Sequence, residues 1–510
     1  MVDRIISQSA FSFNMHILIY MKRIKTLISA SSLFAGMFAQ NSNPNIVILL
    51  ADDLGYADVK INNPEAYAET PNLNKIAAEG AIFTQCYSSA PMSSPSRAGL
   101  LAGRVPLRLG IHDWIKDIYK LPKSNVHLLP EETTIPELLK NIGYQTATIG
   151  KWHLNNAFNT ENGSDPNEQG FDYSFSTPVQ SEPSHCNPEN FYENGVPVGK
   201  IWDENNPLYS SDIVADKTIE WLKNRNKKKP FMLYVAFHEP HVVCDAPKPL
   251  KDKYLEKIKN KQIPLIKESG NDGLGQAEYY ACIENMDKAI GRIMKQLEQQ
   301  NLLDNTIIFF SSDNGPDTGR KYKGRLQSVG STQPFKGRKR WLFEGGIHQV
   351  GIAYWKNRID AGTKINEPVG HVDLLPTISA LCGTKLPEKT LDGENIIPAF
   401  TSNSNWSRNK PLHWHFHSPL GDSPQSVMRK GDFVITANWN NKFKKGRFDL
   451  NFIHDIKNAE LIDFKVYKHN NGIWSEIKNG EKIYPELIQE LKLLHNDAKN
   501  ECPNRDVFEW

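Results

Sequence analysis

The sequence of 510 residues carries almost no net charge, with 60 Lys and Arg against 58 Asp and Glu. Such a balance gives no field to attract a polyanion, so neither nucleic acid nor an anionic membrane surface is an expected partner. Cysteine is sparse and scattered, at Cys86, Cys186, Cys244, Cys282, Cys382 and Cys502. None forms a CxxC pair or a zinc spacing. Cys282 and Cys382 sit in apolar surroundings and read as small core residues; a disulfide stays open, with no pairing assigned. No internal repeat is visible, which excludes a solenoid. Beyond the first forty residues no apolar run approaches the roughly 20 residues of a spanning helix, so no membrane is expected for the mature chain.

The N-terminus is different. Met21-Lys22-Arg23-Ile24-Lys25 is a basic start, Thr26 to Ala39 is apolar and small, and polar Gln40-Asn41-Ser42 follows. This reads as a secretory signal peptide cleaved after about Ala39; Met1 and Met21 both stand as candidate starts.

Four apolar runs read as buried parallel strands: Ile46–Ala51, Thr146–Gly150, Phe231–Phe237 and Thr306–Phe310. Unbroken apolar strands belong in a sheet covered on both faces. Between them lie helical patterns. One is capped by Thr134, with Ile135, Leu138, Leu139 and Ile142 as its stripe and Gly143 as its end; another carries Ile283, Met286, Ile290, Ile293 and Leu297. Alternating strands and helices define an α/β domain. The charged stretch Lys251–Gln276 reads as an exposed excursion, and Ser/Asn-rich Pro398–Lys410 as a connection. Val427–Trp439 reads as a hairpin turning at Lys430-Gly431-Asp432, and Pro485–Ala498 as a final helix. The expected organisation is residues 1–39 as extension and signal, 40–400 as the large catalytic domain, and 401–510 as a smaller α+β subdomain.

Each strand ends in reactive residues, and ligands of such sheets bind beyond the carboxyl ends of the strands. The first run ends in Asp52-Asp53, the second in Lys151-Trp152-His153, the third in His238-Glu239-Pro240-His241, and the fourth leads to Asp313-Asn314. Asp-Asp and Asp-Asn-Gly are each also what an ordinary turn uses. Together they offer three carboxylates and an amide oxygen, a hard oxygen set suited to Ca²⁺ or Mg²⁺.

The stretch Ser93-Ser94-Pro95-Ser96-Arg97, continued by Ala98-Gly99-Leu100-Leu101-Ala102-Gly103-Arg104, suits a turn that opens a helix, with Ser96 as a candidate cap. It also resembles the signature of the type I sulfatases, where a Cys or Ser precedes x-Pro-Ser-Arg and a Leu-x-Gly-Arg tail; Ala102 stands where Thr is usual. In that family the first residue, Ser93 by position, is oxidised to formylglycine. A plain serine hydroxyl is a weak nucleophile, and it cannot release sulfate as a hydrated aldehyde does.

The resemblance covers Asn45 to Gly393. It implies an alkaline-phosphatase-like α/β fold and a divalent cation, Ca²⁺ or Mg²⁺, held by Asp52, Asp53, Asp313 and Asn314 beside Ser93. Arg97, Lys151, His153, His241 and Lys339 are implied around the sulfate, with His238 a neighbour without a catalytic part. Lys339 matches the family spacing Lys-x4-Glu-Gly-Gly, although His348 stands where Arg is usual. His371 and Asp373 match a stretch expected to support the fold. A serine-type signature implies an oxygen-independent radical maturase as partner, and an exported, periplasmic or secreted bacterial enzyme. The activity implied is sulfate ester hydrolysis, exo-acting on a sulfated carbohydrate, with galactose-type sugars favoured. Candidate sugar contacts are His112, Asp113 and Trp114; Glu182, Ser184 and His185; and His415 and His417. A phosphate or phosphonate ester hydrolase of the same superfamily and a catalytically silent glycan-binding protein remain the alternatives.

Overall fold

The four apolar runs become four neighbouring parallel strands: β1 (Asn45–Ala51), β2 (Gln145–Lys151), β3 (Phe231–Ala236) and β4 (Thr306–Ser312), in the spatial order β4-β1-β3-β2. Every residue of β1 and β3 is buried, as expected of strands covered on both faces. The computed structural model describes residues 43–115, 127–155, 157–159, 164–400, 404–440 and 456–503; the segment expected to be a signal peptide lies outside them. The described sheet has ten strands. Tyr173–Thr177 adds in parallel beyond β2, and Gly351–Tyr354 adds antiparallel beyond β4.

Register decides where the chemistry converges. Ala51 pairs with Ser312, Leu50 with Ala236, and Gly150 with Ala236. The residues that follow each pair therefore leave the sheet along one edge. Backbone bonds lock that edge: Asp52 N donates to Glu239 O and Asp313 N to Ala51 O, both at 3.0 Å.

The helices most relevant here are α1 (Ser93–Ala102), α2 (Ser210–Asn224), α3 (Lys248–Lys259), α4 (Leu274–Gln299) and α5 (Pro485–Glu501). α4 has 26 residues and runs about 39 Å at 1.5 Å per residue. Its stripe Ile283, Met286, Ile290, Ile293 and Leu297 is fully buried, and each such side chain contributes about 1.5–3 kcal/mol. The first part of the excursion expected over Lys251–Gln276 is instead α3, with Leu250, Tyr254 and Ile258 buried in the main core, while the stretch 260–272 is mostly exposed. Those three residues recur every fourth position, but lysines between them dilute the apolar signal. The helix after Thr134 is short, Ile135–Lys140, so Ile142 lies beyond it and is exposed.

The C-terminal part forms a five-stranded antiparallel sheet, in the order Leu412–His415, Ser426–Lys430, Phe433–Trp439, Leu461–Asn470 and Ile473–Glu476. Lys430 pairs with Phe433, leaving Gly431 at φ 52° in the expected turn. α5 covers this sheet through Leu487, Ile488 and Leu491, in one cluster with Met428, Ile435 and Val466. Asp373 ties the connection down by accepting from both terminal nitrogens of Arg408, at 2.6 and 3.0 Å. All six cysteines are free thiols. No described helix is long and apolar enough to cross a membrane.

Candidate active site

Ser93 is the first residue of α1, directly after Met92 in extended conformation. Ser96 does not cap: it lies inside the helix, and its amide donates to Met92 O at 3.0 Å. The start of α1 points at the sheet edge, where its partial positive charge favours an anion. All ten residues of α1 are buried, Arg97 included.

Several backbone turns at the edge are special. Gly150 has φ +105°, and a Cβ there would lie 1.9 Å from Ala236 O; only glycine lets β2 approach β3 so closely. Asp53 and His153 are held at φ 65° and 61°, left-handed values that cost non-glycine residues about 1–2 kcal/mol. Such strain concentrates at functional sites.

The side chains then meet. Ser93 Oγ lies 3.3 Å from Asp52 Oδ1 and 3.2 Å from Asn314 Oδ1. Lys151 Nζ donates to Asp52 Oδ2 at 2.5 Å, and Lys339 Nζ to the two oxygens of Asp53 at 2.6 and 2.8 Å. Arg97 Nε donates to Asp313 Oδ2 and its NH1 to Lys151 O, both at 3.0 Å. His241 Nε2 lies 3.8 Å from Asp53 Oδ2, and its Nδ1 is 2.6 Å from Val242 O. His153 Nε2 lies 3.1 Å from Ile115 O, while its buried Nδ1 has no partner.

Asp52, Asp53 and Asp313 each present an oxygen within 4.8 Å of the others, all buried. Oxygens bound to one Ca²⁺ at roughly 2.3–2.6 Å stand at most about 5 Å apart, so the set fits such an ion. Electrostatics agree. Burial and the neighbouring Asp52 push Asp53 up to about 7 against the pull of Lys339. Burial and Asp52 also raise Asp313. Asp52 is buried too, but Lys151, His241 and Arg97 win and hold it well below the ordinary range. Burial thus holds two of the three carboxylates above the ordinary range although each is already paired with a cation. Burial lowers Lys151, and burial with Lys151 and Arg97 holds His153 well below its usual value.

Two residues absent from the expected set complete the site. Asp317 is buried and interacts electrostatically with Lys339 and His241; its proximity in sequence to Asp313-Asn314 was the available signal. Glu239 anchors the histidine turn. It accepts from Ser210 Oγ, from Ser211 N at 2.9 Å and from Ser211 Oγ at 2.8 Å, at the start of α2.

The candidate sugar contacts divide. The segment Asp113–Ile115 overlies α1, with Ile115 N donating to Ser94 Oγ at 2.9 Å; Asp113 interacts electrostatically with Arg340 and Lys339, while burial raises it to about 6. Glu182 is exposed and, with Gln180, Asn190 and Val242, lines an open cleft of about 510 Å³ that begins one residue past His241. Ser184 turns inward, its Oγ donating to Cys186 O at 2.8 Å. His185 is not a sugar contact: it is fully buried, 3.2 Å from Glu239. His415 is likewise inside the C-terminal layer, 2.9 Å from His413 Nδ1 and 3.4 Å from His495 Nδ1. His185 falls within polar loop sequence, where burial leaves no local signature; His415 lies between Trp414 and Phe416, and that apolar flank was the available signal. His112 and His417 are buried and packed edge to face at 6.4 Å.

A mostly parallel sheet with a buried acidic triad at its edge, facing a residue at a helix start, defines a hydrolase of alkaline-phosphatase-like architecture. The family profile described as Sulfatase matches residues 44–384. Arylsulfatase A of Bos taurus is 31% identical over 500 residues, covering 91% of this chain and 89% of that protein. N-acetylgalactosamine-6-sulfatase of Homo sapiens is 30% identical over 428 residues, covering 79% and 74%. Among solved structures, Ps i-CgsB in complex with k-i-k-neocarrahexaose matches with a TM-score of 0.70 at 25% identity, over 90% of this chain and 94% of that one. The chain belongs to the sulfatase family and is a sulfuric ester hydrolase.

Proposed function

We propose that this sulfatase removes sulfate from carbohydrates, acting at a chain end, with galactose-type sugars favoured. The carrying observation is the meeting of Ser93 Oγ with Asp52 and Asn314 inside a ring of Arg97, Lys151, His153, His241 and Lys339. Support for a sugar comes from the names of the human relative and of the oligosaccharide-bound neighbour, and from the polar cleft beside His241. Asp113, Trp114 and Glu182 are the proposed sugar contacts.

Asp52, Asp53, Asp313 and Asn314 would hold Ca²⁺ or Mg²⁺, which offsets charge on the transferring group and acidifies a nearby hydroxyl. Formylglycine derived from Ser93 supplies, once hydrated, one hydroxyl to attack sulfur and a second through which sulfate is released. Arg97 bridges Asp313 and the Lys151 carbonyl and so fixes the floor beneath residue 93. Lys151 and Lys339 are the cations nearest the pocket's oxygens, and they bind the sulfate oxygens whose charge must be stabilised.

His241 protonates the leaving alcohol. Its Nδ1–H is directed to Val242 O, leaving Nε2 as the atom that exchanges the proton. Burial, Lys339 and Lys151 together lower His241 to about 3, although Asp52 opposes them; a bound sulfate adds negative charge and moves it upward. His153 takes the proton from the second hydroxyl. Donation of Nε2–H to Ile115 O leaves Nδ1 as the accepting atom, and a depressed pKa keeps the imidazole neutral and ready.

The serine at position 93 points to a radical-type maturase in biogenesis, and Met21 to Ala39 point to export to a bacterial periplasm or beyond. Matured enzyme is to be assayed on sulfated mono-, di- and oligosaccharides beside an aryl sulfate. Release from terminal sugar sulfates is expected; turnover of the aryl sulfate alone overturns the carbohydrate assignment.

A further inference from the structure

The C-terminal sheet and the segment around Lys336–Glu344 enclose a second groove of about 610 Å³ that shares no lining residue with the catalytic ring. Its walls carry three aromatic rings. Phe343 and Trp474 pack with centroids 5.6 Å apart at 65°, and Tyr467 lies 5.8 Å from Trp474 at 48°. The indole is pinned: Trp474 Nε1 donates to Glu344 Oε1 at 2.8 Å. Glu344 is in turn fixed by His348 Nδ1 at 2.7 Å and by Tyr87 OH at 3.1 Å. Ile473, 48% exposed, extends the apolar strip outward.

Around the rings the rim is polar and paired. Lys336 meets Asp422 at 2.6 Å, Lys465 meets Glu476 at 3.0 Å, and Asp463 adds a further carboxylate. Each pair is exposed and adds little to stability, yet together they offer fixed donors and acceptors at the edge of a rigid aromatic surface. Rigid rings flanked by a few converging polar groups suit a pyranose, whose C–H face packs on an aromatic ring while its hydroxyls bridge acids and bases. Three rim carboxylates against two lysines disfavour a sulfated stretch.

We propose that this groove is a second saccharide site, which binds an unsulfated pyranose stretch of a polymeric substrate while the chain end is processed elsewhere. Its role rests on the carbohydrate activity proposed above, whereas binding itself does not require catalysis. The test separates the two. Ser93→Ala enzyme, which cannot turn over, is titrated by calorimetry with neutral galacto-, gluco-, manno- and xylo-hexasaccharides and with sulfated galacto-hexasaccharide. At least one neutral oligosaccharide is expected to bind, independently of any binding of the sulfated one at the active site. Adding Trp474→Ala, or Ile473→Asp at the exposed position, is expected to weaken that binding at least tenfold. In otherwise wild-type matured enzyme, Ile473→Asp is expected to raise KM on a polymer several-fold and to leave turnover of a monosaccharide sulfate within twofold. No binding of any neutral hexasaccharide, or neutral binding untouched by Ile473→Asp, overturns the proposal. No turnover of any sugar sulfate by matured wild-type enzyme, with neutral binding retained, would instead count against the carbohydrate activity.

Discussion

Ser93 Oγ and Asn314 Oδ1 stand 3.2 Å apart although 221 positions separate them in the chain. The parallel register of β1 and β4 accounts for part of this, since it delivers Asp52 and Asp313 to one edge. The buried start of α1 supplies the rest. A nucleophile position thereby faces a buried carboxylate cluster, and the arrangement can be tested by measurement.

Metal removal should abolish activity and loosen the fold. A ligand present at 100 times its dissociation constant stabilises the native state by about 2.7 kcal/mol. Exhaustive chelation is expected to lower the melting temperature by a few degrees and stop turnover, with both restored by Ca²⁺ or Mg²⁺. Asp313→Ala should behave like the chelated enzyme and fail to respond to added ion. An enzyme that keeps full rate after chelation contradicts the cation pocket.

His241→Ala should discriminate between leaving groups. A sugar alcohol needs protonation far more than an activated phenol does, and a positioned acid contributes roughly 10²–10⁴ in rate. The variant is expected to lose that factor on sugar sulfates and much less on an aryl sulfate. Equal losses remove His241 from the acid role.

Lys339→Ala removes the ammonium 2.6 Å from Asp53 Oδ1. A preorganised charge facing the developing sulfate is worth about 10²–10³ in kcat. Steady-state kinetics on matured variant should show that loss in kcat/KM; a fall below tenfold would remove Lys339 from sulfate binding and leave it to Lys151.

The His185–Glu239 pair should set a pH dependence of stability. Burial opposes the charged imidazole, but Glu239 outweighs it and lifts His185 from 6.5 to about 10. Its contribution is therefore complete below pH 6.5 and is lost as pH rises through about 10. Burial likewise opposes the Glu239 carboxylate, yet His185 brings it from 4.5 down to about 2, so that contribution is complete above pH 4.5 and is lost as pH falls through about 2. His185→Gln breaks a buried pair, worth about 3–5 kcal/mol. The stability gap between wild type and variant should be widest from pH 4.5 to 6.5 and narrow toward pH 10. A gap in thermal melts that stays constant from pH 6.5 to 10 contradicts the pair.

Much of this arrangement was legible in sequence. Unbroken apolar runs announce β1, β3 and β4, because burial on both faces demands them, and each run hands its reactive residues to the same edge. The stripe of α4 is equally plain at its 3-4-3-4 spacing. What sequence concealed was burial of polar residues. His185 sits in polar surroundings like those of a surface residue, and its contact with Glu239 takes it inside; His415 lies between Trp414 and Phe416 and is held inside beside His413 and His495. Lysines hid α3 in the same way, since its buried face is one residue wide.

The most direct test is peptide mass spectrometry of position 93, in enzyme produced with and without an oxygen-independent maturase, paired with activity on a sugar sulfate. Oxidation of a serine to formylglycine removes two hydrogens, about 2 Da. The lighter peptide is expected only with the maturase, and specific activity is expected to scale with its fraction. Full activity from protein in which Ser93 is wholly unmodified would contradict the account.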